Sequence, residues 1–362
     1  MQEVIPDRFK IAPFLVFYMV VSMQIGIGTL GYQRIIAKYT SQDSWISVLL
    51  AGLSLHIIIW LIYKIAETVN GDIVTAHAFV FGKVLGKIIS SFFILYFLFM
   101  SLTVLRTYIE IIQVWVFPSM SVFWYTLAYM ILCIYIIYGG FKVVVGIAFF
   151  GAILPSYLFL IFIYDLKFTE FEHLLPIFDH SIMDLLTGSF HMSLSLIGFE
   201  IVLFIYPFIK EPQKSKKWAH FAILSTTMIY TGLMVLTIAY FSNEQLQKAI
   251  WATLTMWKIV EMPFVERFEY IGIASWSLVI LPNVCIPIWV ASRLLKRIYH
   301  LKQKKGVLFI SAAIIGVINI FNTRERVGIL NDYLGKTGFA ITFIYIPLLF
   351  IAILIAKKVK KK

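Results

Sequence analysis

The sequence predicts an all-α integral membrane protein: ten transmembrane helices in two inverted five-helix repeats, with helices 1 and 6 discontinuous. Three observations lead there. First, 60% of the 362 residues are hydrophobic and only 14% are charged, and the mean hydropathy is +0.89. A water-soluble domain of this size could not hide so much apolar surface. Second, a helix that crosses a bilayer needs about 20 apolar residues, and ten such runs are readable, near 11–37, 45–66, 84–113, 122–138, 142–164, 186–209, 218–241, 271–295, 306–321 and 337–356. Third, a helix-breaking stretch falls in the middle of the first run and another in the sixth. These runs open two groups of five, 11–164 and 186–356, within one transmembrane domain. An odd number of spans inverts the second group relative to the first.

The net charge of +12 suits a membrane orientation rather than nucleic acid, because of where the charge lies. With a cytoplasmic N-terminus, 21 of the 31 basic residues fall on the inner side, among them Arg8, Lys10, Lys214, Arg297, Lys305 and the five lysines from Lys357 to Lys362. The positive-inside rule then places both termini in the cytoplasm. The inner lysines either set this topology or also bind anionic membrane lipid. Cys133 and Cys285 lie in separate spans and imply neither a disulfide nor a metal framework. No cofactor, metal or catalytic motif stands out, so an enzyme is not expected.

Along the chain, Gln24 to Gly31 holds three glycines in six residues, each about 1 kcal/mol worse than alanine in a helix. The first span should break there. Ser41 to Ser44 reads as an N-cap cluster for the second span, with Trp45 at the interface. The third span is long enough to tilt, and Arg106 and Glu110 on it read as an intrahelical ion pair. Gly139 to Lys142 is a tight inner turn, and Pro155 should kink the fifth span. The sixth span carries Ser193 to Glu200. Glu200 sits mid-span, where a bare carboxylate costs at least about 2.5 kcal/mol, so it reads either as stabilised by a half-helix N-terminus or as a coupling group for ligand or protons. The segment from Ser242 to Tyr270 looks like an amphipathic helix or pair on the outer surface that caps the bundle. Pro282 and Pro287 should interrupt the eighth span, leaving Asn283 as a second-rank site candidate or a helix-to-helix bond. His191 reads as a satisfied core histidine, and His220 and Tyr230 stand out as polar groups on span seven.

The two breaks carry chemical content. Broken first helices in inverted five-helix repeats are the architecture of the leucine-transporter-like fold. Backbone freed in lipid survives only where protein, water or a ligand satisfies it. Free amides near Thr29, at the N-terminus of the second half-helix, suit a carboxylate. Free carbonyls near Met23, Gln24 and Ser193 to Leu196 suit an ammonium group, so together they form a site for a zwitterion such as an amino acid.

Asp7 to Ile11, Gly26 to Gly31, Gln42 to Trp45, Lys83 to Lys87, Gly198-Phe199-Glu200, Phe204 to Phe208, Glu261 to Glu269 and Trp276, in this order and spacing, resemble the endospore germination permeases. These are the B subunits of spore nutrient germinant receptors, within the amino acid, polyamine and organocation transporter superfamily. The resemblance covers nearly the whole chain. It implies a multi-pass protein of the spore inner membrane that recognises a nutrient, often an amino acid, and acts with a germinant receptor A subunit and a lipoprotein C subunit. It places substrate-binding residues at Gly26, Gly28, Thr29 and Gly31 and at Ser195, Gly198, Phe199 and Glu200, with Asn283 beside them. Some proton-coupled members of the superfamily carry a lysine inside span five, whereas here Lys142 stands at the helix entrance. A sensor is therefore favoured over a proton-coupled amino acid permease, with a germinant-opened ion pathway as a third reading. Side chains around Phe99, Ser101, Asn283 and Cys285 are candidates for setting which nutrient binds.

Overall fold

In a computed structural model the described residues are 5–260 and 266–360, and every expected span falls on helix. The first span is split into Leu15–Gln24 and Tyr32–Thr40, with a 3-10 turn at Gly28–Leu30 between them. Spans two and three are Ser44–Val69 and Ile73–Trp115, the latter bent at Gly82. Span four is Val122–Tyr138. Span five is Phe141–Ile153 and Tyr157–Asp165, joined at Pro155 through the turn Leu154–Ser156. Span six begins as Ile182–His191 and, after the turn Ser193–Leu196, resumes at Phe199–Phe208. Spans seven to nine are Pro212–Tyr240, Phe268–Tyr299 and Gln303–Ile318, and span ten runs over Arg324–Lys360 with a π-helical stretch at Ala340–Tyr345. Among the described residues, six stretches are long and apolar enough to cross a membrane, and Leu15–Gln24, Val122–Tyr138 and Phe199–Phe208 are shorter apolar helices.

Span eight lies along span three and span seven along span two, and the first half of span one packs between spans five and seven. The broken helices therefore sit within the bundle, with Met19, Val20, Leu30, Phe199 and Ile201 fully buried. The first and last described residues, Ile5 and Lys360, lie on one face, here called the terminal face. There Lys360 donates to the Phe79 carbonyl at 2.7 Å, and Ile5 lies near Gly71 and Arg297. The opposite face carries the 166–181 loop.

Four local expectations change. Span eight is one continuous helix despite Pro282 and Pro287. Proline removes an amide donor and frees the carbonyl four residues before it. Span five comes close to the carbonyl freed by Pro282, since a Cβ on Gly151 would stand 2.6 Å from the Leu278 oxygen. Arg106 and Glu110 are not an intrahelical pair. Glu110 binds Arg324 of span ten at 2.6 Å, and Arg106 donates to the Phe321 carbonyl at 2.5 Å. Asp43 makes no side-chain cap for span two. Fully buried, its carboxylate accepts the amides of Phe178, Asp179 and His180 at 2.8 to 3.1 Å and lies 3.0 Å from His180 Nδ1. The segment after Ser242 forms Asn243–Lys248 and Ala252–Trp257, and the second is buried rather than superficial, with Trp257 fully enclosed. Of the Glu261 to Glu269 motif, residues 261–265 lie outside the described residues.

The Asp43 carboxylate is the anchor of the loop leading into span six. Asp43→Asn replaces one acceptor oxygen with a donor facing buried amides, at a cost of about 1–3 kcal/mol. Lower thermal stability and faster proteolysis within residues 166–181 are the expected results. Unchanged cleavage would show that the loop is held by other contacts.

Candidate ligand site at the two helix breaks

The break in span one is built from satisfied carbonyls and bare amides. Tyr230 of span seven donates to the Gln24 carbonyl at 2.6 Å. Asn283 of span eight donates its amide to Ser22 and Ile25 at 2.7 and 3.0 Å, and Trp276 donates to Gly26 at 3.2 Å. The Ile27 and Gly28 carbonyls take the Leu30 and Gly31 amides, and Thr253 donates to Thr29 at 2.8 Å. Every carbonyl from Gln24 to Thr29 is thus engaged. Among the described residues, the backbone amides of Gly26, Ile27, Gly28 and Thr29 have no hydrogen-bond acceptor.

Span six meets this break at two close contacts. A Cβ on Gly28 would overlap the Ser195 side chain and stand 2.9 Å from its Cα, so the two backbones touch only because residue 28 lacks a side chain. Gly198 adopts φ 107°, in the left-handed region that favours glycine, and a Cβ there would stand 2.8 Å from that of Met23. Gln24 bridges the breaks, donating to the Leu196 carbonyl at 3.1 Å while accepting from Thr226 at 2.7 Å. Glu200 follows the Gly198 turn and is buried. Its carboxylate accepts Tyr96 OH and the Gly198 amide, both at 2.7 Å.

A cavity of about 400 Å³ opens beside these contacts, between the second half of span one, the first half of span six and span ten. Gly28, Gly31 and Ser195 line it, whereas Gly26, Thr29, Gly198, Phe199, Glu200 and Asn283 do not. Thr29 hydrogen-bonds Tyr230 at 2.9 Å, Gly26 is pressed against the Asn283 amide, and Phe199 is fully buried. These residues shape the backbone behind the cavity wall. Phe99, Ser101 and Cys285 are likewise absent from the wall; Ser101 instead bonds within span three and to Val284.

The structure adds wall residues that sequence reasoning passed over. His191 is not enclosed in the core but stacks on Tyr39 at 4.4 Å, and both line the cavity. Arg34, Lys38, Trp251 and Arg324 join them. The signal available in the sequence was the spacing of Arg34 and Lys38, two cations one helical turn apart directly after the break. Tyr230 proves to be the main support of span one, and His220 pairs with His56 through Nδ1 atoms 2.9 Å apart.

Comparison with known proteins identifies the relatives of this arrangement. The chain aligns with a sodium-coupled sialic acid symporter in a substrate-bound, outward-open state at a TM-score of 0.65 and 13% identity, over 92% of this chain and 77% of that one. It aligns with MhsT in complex with L-phenylalanine at 0.64 and 13%, over 94% and 87%. The leucine-transporter-like fold expected from the paired breaks is thereby established, and the chain is an integral membrane protein. In sequence it is 43% identical to spore germination protein GerQB of Bacillus cereus over 96% of both chains, and 22% identical to spore germination protein B2 of Bacillus subtilis over 81% of both. The family model described as spore germination protein matches residues 10–327. The chain therefore belongs to the spore germination permease family.

Proposed function

We propose that the chain is the B subunit of a spore nutrient receptor. A germinant enters the cavity on the loop face, engages the bare amides of the span-one break, and shifts a conformational equilibrium read by an A subunit and a lipoprotein C subunit. The observation that carries this reading is the run of unaccepted amides from Gly26 to Thr29 beside a cavity that Gly28 and Ser195 line. Bare amides behind a half-helix N-terminus attract a negatively charged or carbonyl oxygen. A ligand can shift the equilibrium only by binding one conformation better than the other. The backbone contact of Gly28 with Ser195 supplies such a difference, because any separation of the two half-helices changes the site. The charge bias supports placing the terminal face on the cytoplasmic side of the spore inner membrane.

The alternative, a proton-coupled amino acid permease, draws on the buried carboxylate of Glu200. That group faces Tyr96 and the Gly198 amide and does not line the cavity. The sensor reading therefore assigns Glu200 to holding the Gly198 turn.

Two experiments test this function. Gly28→Leu forces a side chain into the Ser195 backbone, an overpacking that costs about 1–3 kcal/mol. Spores carrying it should assemble the protein at normal levels yet lose the nutrient response. A normal response would remove the break from the mechanism. In liposomes, the purified protein should bind a labelled germinant without accumulating it under a proton gradient, and Glu200→Gln should retain binding. Uphill accumulation that Glu200→Gln abolishes would establish the permease instead.

A further inference from the structure

The cavity beside the breaks presents donors and cations but almost no free acceptor. Arg34, Lys38, Arg324 and Lys336 line it, against the single carboxylate of Asp332. Lys336 holds Asp332 at 2.8 Å, and Arg324 is paired from outside the wall by Glu110. Among the described residues, no carboxylate pairs with Arg34 or Lys38. They stand four apart on one helix, where like charges destabilise each other. The indole Nε1 of Trp251, another wall residue, is buried without an acceptor. Of the bare amides of the break, those of Ile27 and Gly28 belong to wall residues and add further donors.

The acceptor side of the span-one break is largely engaged. The carbonyls of Gln24 to Thr29, and that of Leu196 on span six, already accept hydrogen bonds from Tyr230, Asn283, Trp276, Thr253, Gln24 and the local turn. An ammonium group entering this cavity would leave its water shell for a wall with four cations and one carboxylate, already held by Lys336, which is unfavourable. An oxyanion would meet several donors at once, and charge-assisted bonds of this kind are the strong ones.

We infer that the ligand of this cavity is a small organic oxyanion, carrying a carboxylate or phosphate and no ammonium group. This rests on the cavity beside the breaks being the germinant site, and it replaces the zwitterionic amino acid expected from the sequence with a narrower class. The cations of the wall and the bare amides divide the work. Arg34 and Lys38 draw the anion in from the loop face, and the amides of the break take its oxygens at the base.

The test uses the full-length protein in lipid nanodiscs, with binding followed by calorimetry. The paired probes are 3-phenylpropionate and L-phenylalanine, which differ by the ammonium group, together with inorganic phosphate. 3-Phenylpropionate should bind at least about tenfold more tightly than L-phenylalanine, and the double variant Arg34→Gln, Lys38→Gln should weaken it about tenfold and flatten its salt dependence. L-phenylalanine binding as tightly as 3-phenylpropionate would overturn the oxyanion class. If that binding is still lost in Gly28→Leu, the break remains the site. Binding of 3-phenylpropionate that Gly28→Leu leaves unchanged would overturn the site itself. No binding of 3-phenylpropionate or phosphate up to about 10 mM, by protein that unfolds cooperatively, would also overturn the proposal.

Discussion

Backbone polar groups left bare in a bilayer cost several kcal/mol each, and the interruption of span one at Gln24 to Gly31 creates a row of them deep inside this protein. Much of the polar chemistry in the core exists to meet that demand. Tyr230 from span seven, Asn283 and Trp276 from span eight and Thr253 from the short buried helix each donate to a carbonyl of the break. Gln24 then ties the break in span one to the break in span six. Polar residues scattered through otherwise apolar spans thus form one system, and that system holds an unwound helix at the middle of the fold.

The satisfaction is one-sided. Carbonyls are capped by protein while, among the described residues, four successive amides have no acceptor, so the break has a chemical polarity that the basic cavity wall repeats. This polarity sits at a mechanical junction. The first half of span six is held to span two, where Ser189 donates to the Ser47 carbonyl at 2.8 Å and Ser47 to the Leu185 carbonyl at 3.0 Å. The Asp43 clamp holds the loop that leads into it. On the terminal face, the chain entering span one pairs with the chain leaving span six through a parallel bridge between Ile11 and Ile209. The two halves of span six are therefore anchored to different parts of the bundle, and the Gly198 turn lies between the anchors.

The chain is a family member with a transporter fold whose buried carboxylate is matched by hydrogen bonds inside the bundle. Glu200 is matched by Tyr96 and by the amide of its own turn, which accounts for a charge that composition alone marked as costly. Asn283 is accounted for in the same way, with its side-chain amide donating to three carbonyls across spans one and eight.

Some of this was written in local sequence. Apolar runs of bilayer length, the breaks at Gly26 to Gly31 and at Gly198, the Pro155 kink and the tight turn after Tyr138 follow from chain entropy, missing donors and hydrophobic length, and these act within a few residues. Other features depended on neighbours brought together from distant spans. Whether Pro282 breaks a helix depends on what covers the carbonyl it frees, and span five approaches that carbonyl at Gly151. Whether Glu110 pairs with Arg106 or Arg324 depends on where span ten packs. The candidate site at the breaks was divided along the same line. The sequence by itself determined that the helix must open at Gln24 to Gly31 and that freed backbone would seek partners. Only the tertiary structure decided that Tyr230, Asn283, Trp276 and Thr253 would take the carbonyls and leave the amides, because hydrogen-bond satisfaction is settled by side chains 206 to 261 residues away in the chain.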